Sequence, residues 1–346
     1  MRKRLAILLS ALFVATSIQA QQQPAHPKVD QEKVDEAIQK GCKYLVVAGN
    51  GFATFTHGMR NQPAAVQAYG ELVLLTLLHS GYYTEDTPEI QPLIRHVTEK
   101  IIGSTYTAAL MAMALTKLNA RKYQERIAVC AQFLCDNQCE NGQWDYGEPL
   151  VDPPKTTYDL PKRPKKPEPE TVATGDSDPN APKPPVDAKP AGTAGKTQVE
   201  KKGAKTTAMP RIPVRKRKPG PPNGDNSNSQ YAALGLRACM DASIDVDPAV
   251  LQRARQWWLR NQHGDGGWGY NDRGDTGGNT NDTGVSNDSY GSMTVGATGA
   301  LCIYDYYMGL PFKTDSAVIK GADWIGKNFD VTKNPKKTSF AYLYYL

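Results

Sequence analysis

One stretch of the sequence occurs twice in the chain, and this repeat restricts the possible folds more than any other feature. Residues 131–147 (AQFLCDNQCENGQWDYG) align without a gap on residues 255–271 (RQWWLRNQHGDGGWGYN), 124 residues further on. When the 76 residues from Val151 to Asn226 are set aside, the offset becomes 48 residues, about the length of one helical hairpin repeat. The matched pairs are Gln132 and Gln256, Asn137 and Asn261, Gln138 and Gln262, Gly142 and Gly266, Trp144 and Trp268, and Tyr146 and Tyr270. A shorter copy at 321–330 (GADWIGKNFD) aligns Trp324 with Trp257 and Asn328 with Asn261.

The other segments predict helices and no sheet. Apolar residues recur three and four positions apart, whereas no stretch alternates apolar and polar residues. Some segments are nearly free of charge and rich in small residues, so we expect them to be buried inner helices; others carry charges on one face and should lie outside. The inner set is 64–78, 105–118, 230–240 and 292–304, and the outer set is 88–100, 121–136 and 248–260.

The repeat is interrupted by a segment of a different composition. Between Pro149 and Pro222 lie 17 of the 25 prolines, and residues 150–218 carry 16 basic and 8 acidic side chains. Such a segment buries too little apolar surface to fold, so residues 149–224 are interpreted as a disordered, solvated linker. Its basic cluster RKRK at 215–218 is interpreted as part of this solvated linker. The alternative is that the cluster contacts an anionic surface. Without this linker the chain is net acidic, so nucleic-acid binding by the folded part is not supported.

The N-terminus predicts export. Residues 1–20 combine a basic start, a short apolar run and small residues before the expected cleavage site, which is typical of a signal peptide. Residues 21–31 are interpreted as a disordered N-terminus. We therefore expect a periplasmic, cell-envelope or secreted protein, with an uncleaved anchor as the alternative.

An aromatic helix followed by Gln, a Gly-rich turn and Trp resembles the QW repeat of squalene cyclases and of related prenyltransferase/squalene oxidase-like repeat proteins. This resemblance implies an α/α toroid, a ring of helical hairpins, with residues 32–148 and 225–346 as two parts of one toroid. The last segment, 338–346, begins an inner helix and stops within it, so we expect a truncated sequence or an incomplete ring. The motif residues are expected to be structural, joining one hairpin to the next: Gln138, Gly142, Trp144, Trp257, Gln262, Gly266 and Trp268.

The chemistry of the related enzymes has little support in these residues. Cyclases of the squalene type protonate an alkene with a D-x-D-D acid, and this motif does not occur. The acidic residues Asp241, Asp245 and Asp247 precede a helix and suit a turn and cap. The thioester motif of complement-like toroids is also missing, because Gly41-Cys42-Lys43 continues without the required Glu-Gln.

Two candidate ligand sites remain, and we expect no cofactor otherwise. Cys135 and Cys139 lie one helical turn apart, which suits zinc, although no second close pair accompanies them. Disulfides among the six cysteines and simple burial are the alternatives. The glycine-rich loop after the second repeat could bind calcium through oxygen ligands or a sugar beside Trp268, the alternative being a plain rim loop. Its carboxylates are Asp265, Asp272, Asp275, Asp282 and Asp288.

Two functional hypotheses therefore stay open. The first is a non-catalytic exported binding or scaffold module that takes a protein, glycan or lipid ligand. The second is a terpenoid cyclase or prenyltransferase-type enzyme acting on an isoprenoid or lipid. The absence of D-x-D-D favours the first, whereas the resemblance alone favours the second, because a fold does not determine a function.

Overall fold

The computed structural model describes residues 29–56, 69–149, 208–270 and 288–336. The prediction of an all-α chain is confirmed: these ranges form nine α-helices and two three-residue strands. The predicted signal peptide and the helix expected from Ser339 lie outside the described residues. The helices are α1 (Gln31–Thr56), α2 (Tyr69–His79), α3 (Gln91–Glu99), α4 (Thr105–Asn119), α5 (Gln124–Asp136), α6 (Asn226–Asp241), α7 (Pro248–Arg260), α8 (Gly291–Tyr307) and α9 (Ser316–Asn328).

The helices from α2 onward alternate between two environments. The inner helices α2, α4, α6 and α8 pack against one another in chain order. The outer helices α3, α5, α7 and α9 follow them, and α5 and α7 also contact the inner helix of the next hairpin. The inner helices are apolar around most of their circumference, so they form the core, whereas α7 and α9 have polar outer faces.

Side-chain caps fix where several helices begin. Ser104 accepts a hydrogen bond from the backbone of Thr107 at the start of α4, and Asp225 does the same for α6. Asp247 and Asp315 cap the outer helices α7 and α9. An N-cap oxygen satisfies backbone N–H groups that have no partner within the helix. Residues 226–229, which precede the predicted inner segment 230–240, therefore form the first turn of α6.

The linker predicted at 149–224 extends too far at its C-terminal end, because residues 210–222 are bonded to the fold. Residues 210–222, here called the strap, lie along the outer side of α5, while residues 150–207 lie outside the described part of the chain. The strap begins where the Gln124 amide donates to the carbonyl of Pro210 at 2.7 Å, and it ends where the Glu140 N–H donates to that of Pro221 at 2.9 Å. Its strand β1 (Ile212–Val214) pairs in parallel with β2 (Ile244–Val246).

The basic cluster 215–218 is bound to the fold and is not a solvated spacer. Lys216 donates to three carbonyl oxygens at the end of α5, including that of Gln138 at 2.7 Å, where cations complement the helix dipole. Arg217 pairs with Asp136 at 2.8 Å. The outer pairs are Arg215 with Asp245 and Lys218 with Glu148. Composition alone could not reveal these partners.

The strap changes the character of α5. Its charged face predicted an outer helix, yet eleven of its thirteen residues are buried. The polar side chains of Gln124, Gln132 and Asp136 are buried because backbone or basic groups of the strap bond to them. Buried polar groups are tolerated when they are hydrogen-bonded in this way.

Two buried carboxylates elsewhere are held by cations. Glu71 on α2 is fully buried and pairs with Lys100 at 2.8 Å. Asp305 on α8 is also fully buried, and Arg255 on α7 bridges it to Asp315 with two contacts of 2.5 Å. These pairs join neighbouring helices of the core.

Candidate functional site

The two aligned segments end in turns whose glutamines make equivalent contacts. After α5, the Nε2 atom of Gln138 donates to the carbonyl oxygens of Gly142 at 3.3 Å and Val250 at 2.8 Å. After α7, the Nε2 atom of Gln262 donates to its own turn and to Ala317, both at 2.9 Å. Val250 and Ala317 lie in the first turns of α7 and α9. Each glutamine therefore joins one outer helix to the next.

Loss of this bridge has a measurable consequence. We expect Gln138→Ala to lower the free energy of unfolding by about 1–3 kcal/mol, because Gln138 is fully buried and its partners would lose their hydrogen bonds. Urea unfolding followed by circular dichroism measures the change. The control is Gln256→Ala, an exposed glutamine of α7, for which a change below about 0.5 kcal/mol is expected. Equal losses in the two variants would contradict the bridging role.

The turn tryptophans are fully buried and hydrogen-bonded. The indole Nε1 of Trp144 donates to the carbonyl oxygen of Leu134 at 2.7 Å, and that of Trp268 donates to Trp258 at 2.9 Å. Their backbone N–H groups donate to side-chain hydroxyls on α6 and α8, at 3.0 and 3.1 Å. Trp257, the motif residue on α7, donates its Nε1 to Asn226 at 2.8 Å. Through their indole and backbone N–H groups, these tryptophans therefore connect outer helices to inner helices.

The turn glycines approach the next outer helix backbone to backbone. Gly142 and Gly266 have φ angles of 101° and 93°, a region that other residues rarely adopt. A Cβ atom on Gly142 would lie 2.4 Å from the carbonyl oxygen of Arg253 on α7. A Cβ atom on Gly266 would lie 2.8 Å from that of Lys320 on α9. Both the backbone conformation and the close approach require glycine.

The turns also hold the first residues of the inner helices. The backbone N–H of Thr105, which begins α4, donates to the carbonyl oxygen of Tyr146 at 2.8 Å. The N–H of Asn226, which begins α6, donates to Tyr270 at 3.2 Å. All seven motif residues named from the sequence thus lie at joints between helices, the five Gln and Trp residues through their side chains and the two glycines through their backbone.

Asp265, expected in a ligand loop, is instead an anchor within the second turn. Its Oδ1 accepts from the Gly267 N–H at 3.1 Å and the Ser289 hydroxyl at 2.7 Å, and its Oδ2 accepts from the Trp324 indole at 2.9 Å and Lys336 at 3.3 Å. Burial raises the pKa of Asp265, but these four donors outweigh that effect and lower it to about 2. Both oxygens accept hydrogen bonds within the protein, so Asp265 anchors the second turn to Ser289 and to Trp324 of α9.

Of the other loop carboxylates, only Asp288 belongs to the described residues. Asp288 is exposed, and Asp272, Asp275 and Asp282 lie outside the described residues. In the described ranges, no three His, Cys, Asp or Glu side chains converge as metal ligands would. The loop therefore gains no support as a cation site from the described geometry.

Cys135 and Cys139 do not share a helical face. Helix α5 ends at Asp136, so Cys139 belongs to the turn that follows. Both thiols are fully buried, and burial raises the pKa of each to about 12. Zinc binds the thiolate form, which this environment disfavours.

A group of tyrosines lies where the inner helices begin, and it was not predicted from the sequence as a site. Tyr106 on α4 packs against Tyr231 on α6, with ring centroids 4.5 Å apart, and against Tyr146 of the first turn at 6.1 Å. The Tyr106 hydroxyl hydrogen-bonds to the hydroxyl of Ser227. We call Tyr106, Tyr146, Tyr231 and Ser227 the tyrosine cluster. Tyr146 is 58% exposed, so the cluster presents aromatic surface to solvent.

Uncharged polar groups lie near the start of α6. Gln230 precedes Tyr231 on α6, and its side chain packs against Gly296 of α8, where an added Cβ would lie 1.7 Å from the Gln230 Oε1. Its buried Nε2 atom has no hydrogen-bond partner among the described residues. At the start of α6, Tyr270 is 39% exposed and occupies the repeat position of Tyr146. Aromatic rings beside amide and hydroxyl groups are typical of binding sites for small polar ligands.

The carboxyl group that precedes α6 is committed to the helix. Asp225 accepts hydrogen bonds from the backbone N–H of Asn228 at 2.7 Å and from its side chain at 2.8 Å. Burial raises the pKa of Asp225, and these bonds together with one from Tyr270 oppose the rise. Asp225 therefore has the role of a helix cap.

The sequence held one signal for this site, the tyrosine that recurs at the end of each aligned segment. Tyr106 and Tyr231 carried no such signal in the sequence, because only the packing of α4 against α6 brings them together.

Across the described ranges, no helix has the length and apolar character needed to cross a membrane. Comparison of the chain with protein-family models, with curated proteins and with solved structures found no match.

Proposed function

We propose that this chain is an exported binding module built as an α/α toroid of the squalene-cyclase-like type, which binds an uncharged glycan at its tyrosine cluster. The observation that carries the proposal is the tyrosine cluster itself, which presents aromatic and hydroxyl groups where α4 and α6 begin. The export part rests on residues 1–20, which lie outside the described residues.

The toroid part of the proposal is supported by how the hairpins are joined. Four inner helices follow one another in space as in sequence, and glutamines link α5 to α7 and α7 to α9. A ring of hairpins needs both kinds of contact, because each unit buries its apolar surface only against its neighbours.

A glycan is favoured by the composition of the cluster. A pyranose ring has apolar faces and hydroxyl edges, so it matches tyrosine rings that carry hydroxyl groups and lie next to the Ser227 hydroxyl. No Lys or Arg belongs to the cluster, so a phosphate or carboxylate ligand would find no countercharge there. Tyrosine also supplies a large contact area at a low entropic cost.

Binding is favoured over cyclase chemistry by the roles of the nearby acids. Alkene protonation needs a carboxylic acid that is neutral and free to donate its proton to the substrate. Asp225, which directly precedes α6, caps that helix. Glu71 and Asp305 are held by Lys100 and Arg255. These interactions suit a structural role.

The test is a binding measurement on an array of uncharged oligosaccharides, with a peptide library in parallel. We expect Tyr146→Ala to weaken the binding of the selected oligosaccharide about tenfold, because an exposed aromatic contact is lost while the backbone contact to Thr105 remains. The matched control is Tyr82→Ala, which removes a tyrosine that is 46% exposed and lies outside the cluster.

Three outcomes would contradict the proposal. Equal affinities of the Tyr146→Ala and Tyr82→Ala variants would remove the cluster as the site. Selection of peptides and of no glycan would replace the ligand class. Cyclic products formed from squalene by the purified protein would restore the enzyme hypothesis.

A further inference from the structure

A second surface lies at the opposite end of the inner helices from the tyrosine cluster. It is a groove of about 450 Å³ between the C-terminal ends of α6 and α8, bordered by β2 and the start of α7. Its volume falls within the range of about 300–1,000 Å³ that is typical of small-molecule sites. None of the residues assigned above to the tyrosine cluster lines it. We call this surface the methionine groove, after Met240 and Met308.

The floor of the methionine groove is apolar and adaptable. Met240 at the end of α6, Leu251 on α7 and Met308 at the end of α8 line it. Met240 and Met308 are each half-buried, so their side chains remain accessible from the groove. Methionine side chains are unbranched and polarizable, which suits them to irregular apolar ligands such as alkyl chains.

The mouth of the groove carries one cation whose charge is not paired. Arg211 lines the groove and makes no ion pair with another described residue. Asp245 also lines the groove, but its carboxylate pairs with Arg215 at 2.7 Å, and Arg237 pairs with Asp241 at 3.6 Å. An arginine beside an apolar floor is complementary to a ligand that has an anionic head and an apolar tail.

The position of Arg211 is fixed by the strap. Arg211 directly precedes β1, whose Ile212 N–H donates to the carbonyl oxygen of Ser243 at 3.2 Å. Ser243 also lines the groove, and its φ of 62° lies in the left-handed region, which costs a residue other than glycine free energy. Ser243 follows the C-cap residue Ala242, where helices commonly end in this conformation. The end of α6 and strand β1 together thus fix the backbone next to Arg211.

We infer that the methionine groove binds an amphipathic carboxylate, with the alkyl chain against Met240, Leu251 and Met308 and the carboxylate on Arg211. The inference is independent of the proposed glycan site, because the two surfaces share no residue and lie at opposite ends of α6. A free fatty acid has the required chemistry, a single negative charge at the end of an alkyl chain.

The test is titration calorimetry of the full chain with dodecanoate and with dodecanol, below the concentration at which dodecanoate forms micelles. We expect saturable binding of dodecanoate that Arg211→Gln weakens about tenfold, since one charge-assisted contact is lost. Dodecanol affinity should be the same in the wild type and in this variant. Met308→Asp should weaken both ligands, because it places a charge on the apolar floor.

The matched control is Lys327→Gln, which removes an exposed cation from the last turn of α9. It should leave both affinities unchanged. A wild-type protein that does not bind dodecanoate, or an Arg211→Gln variant that binds it as tightly as Lys327→Gln, would overturn the inference. Circular dichroism of each variant establishes that the helices are intact.

Discussion

Gly142→Ala is expected to destabilise the protein by about 3 kcal/mol or more. Two effects act together at this position. The φ of 101° forces an alanine into a backbone region that costs it about 1–2 kcal/mol. The added Cβ would also lie 2.4 Å from the carbonyl oxygen of Arg253, so the first turn would have to move away from α7. Urea unfolding measures the loss.

Gly81→Ala separates these two effects. Gly81 has a φ of 79°, but a Cβ there would meet nothing within 4 Å. We therefore expect this variant to lose only the backbone cost of about 1–2 kcal/mol. If both alanine variants lost the same free energy, the close approach of the turn to α7 would not contribute to stability.

Lys100→Met is expected to lower the free energy of unfolding by about 3–5 kcal/mol at neutral pH. The change leaves Glu71 fully buried without its ion-pair partner, and an uncompensated buried charge is strongly destabilising. Chemical unfolding at pH 7 measures this effect. The control is Lys122→Met, whose lysine pairs with Glu85 at the protein surface and should contribute far less.

The pH dependence identifies Glu71 as the cause. Burial raises the pKa of Glu71 above its ordinary value of 4.5, although Lys100 opposes the rise. A raised pKa in the folded state means that the fold prefers the protonated acid, so stability is gained below pH 4.5 and lost as the pH rises through the folded pKa. The penalty of Lys100→Met should therefore shrink towards pH 4. A penalty that stays constant between pH 4 and pH 7 would contradict this explanation.

The helices could be predicted because their signal is local. The apolar periodicity placed α4 and α7 within a few residues of their observed bounds. The equivalent contacts of Gln138 and Gln262 lie at positions that the sequence alignment had already paired. In each case the residues that carry the signal are close together in the chain.

The strap and the tyrosine cluster could not be predicted for a common reason. Arg217 and Asp136 are 81 residues apart, and Tyr106 and Ser227 are 121 residues apart. A proline-rich, basic composition indicates a segment that cannot form its own core. It does not indicate that a folded helix elsewhere offers carbonyl groups and carboxylates to bind the segment. Three-residue strands such as β1 are also too short to give a periodic pattern.

The glycine turns have a consequence for the geometry of the whole array. Because Gly142 and Gly266 bring one backbone directly against the next, main-chain contacts limit how closely α7 approaches the first turn and α9 approaches the second. Substitutions in the hydrophobic core would leave these main-chain contacts in place. The spacing of successive outer helices should therefore tolerate sequence changes elsewhere in the protein.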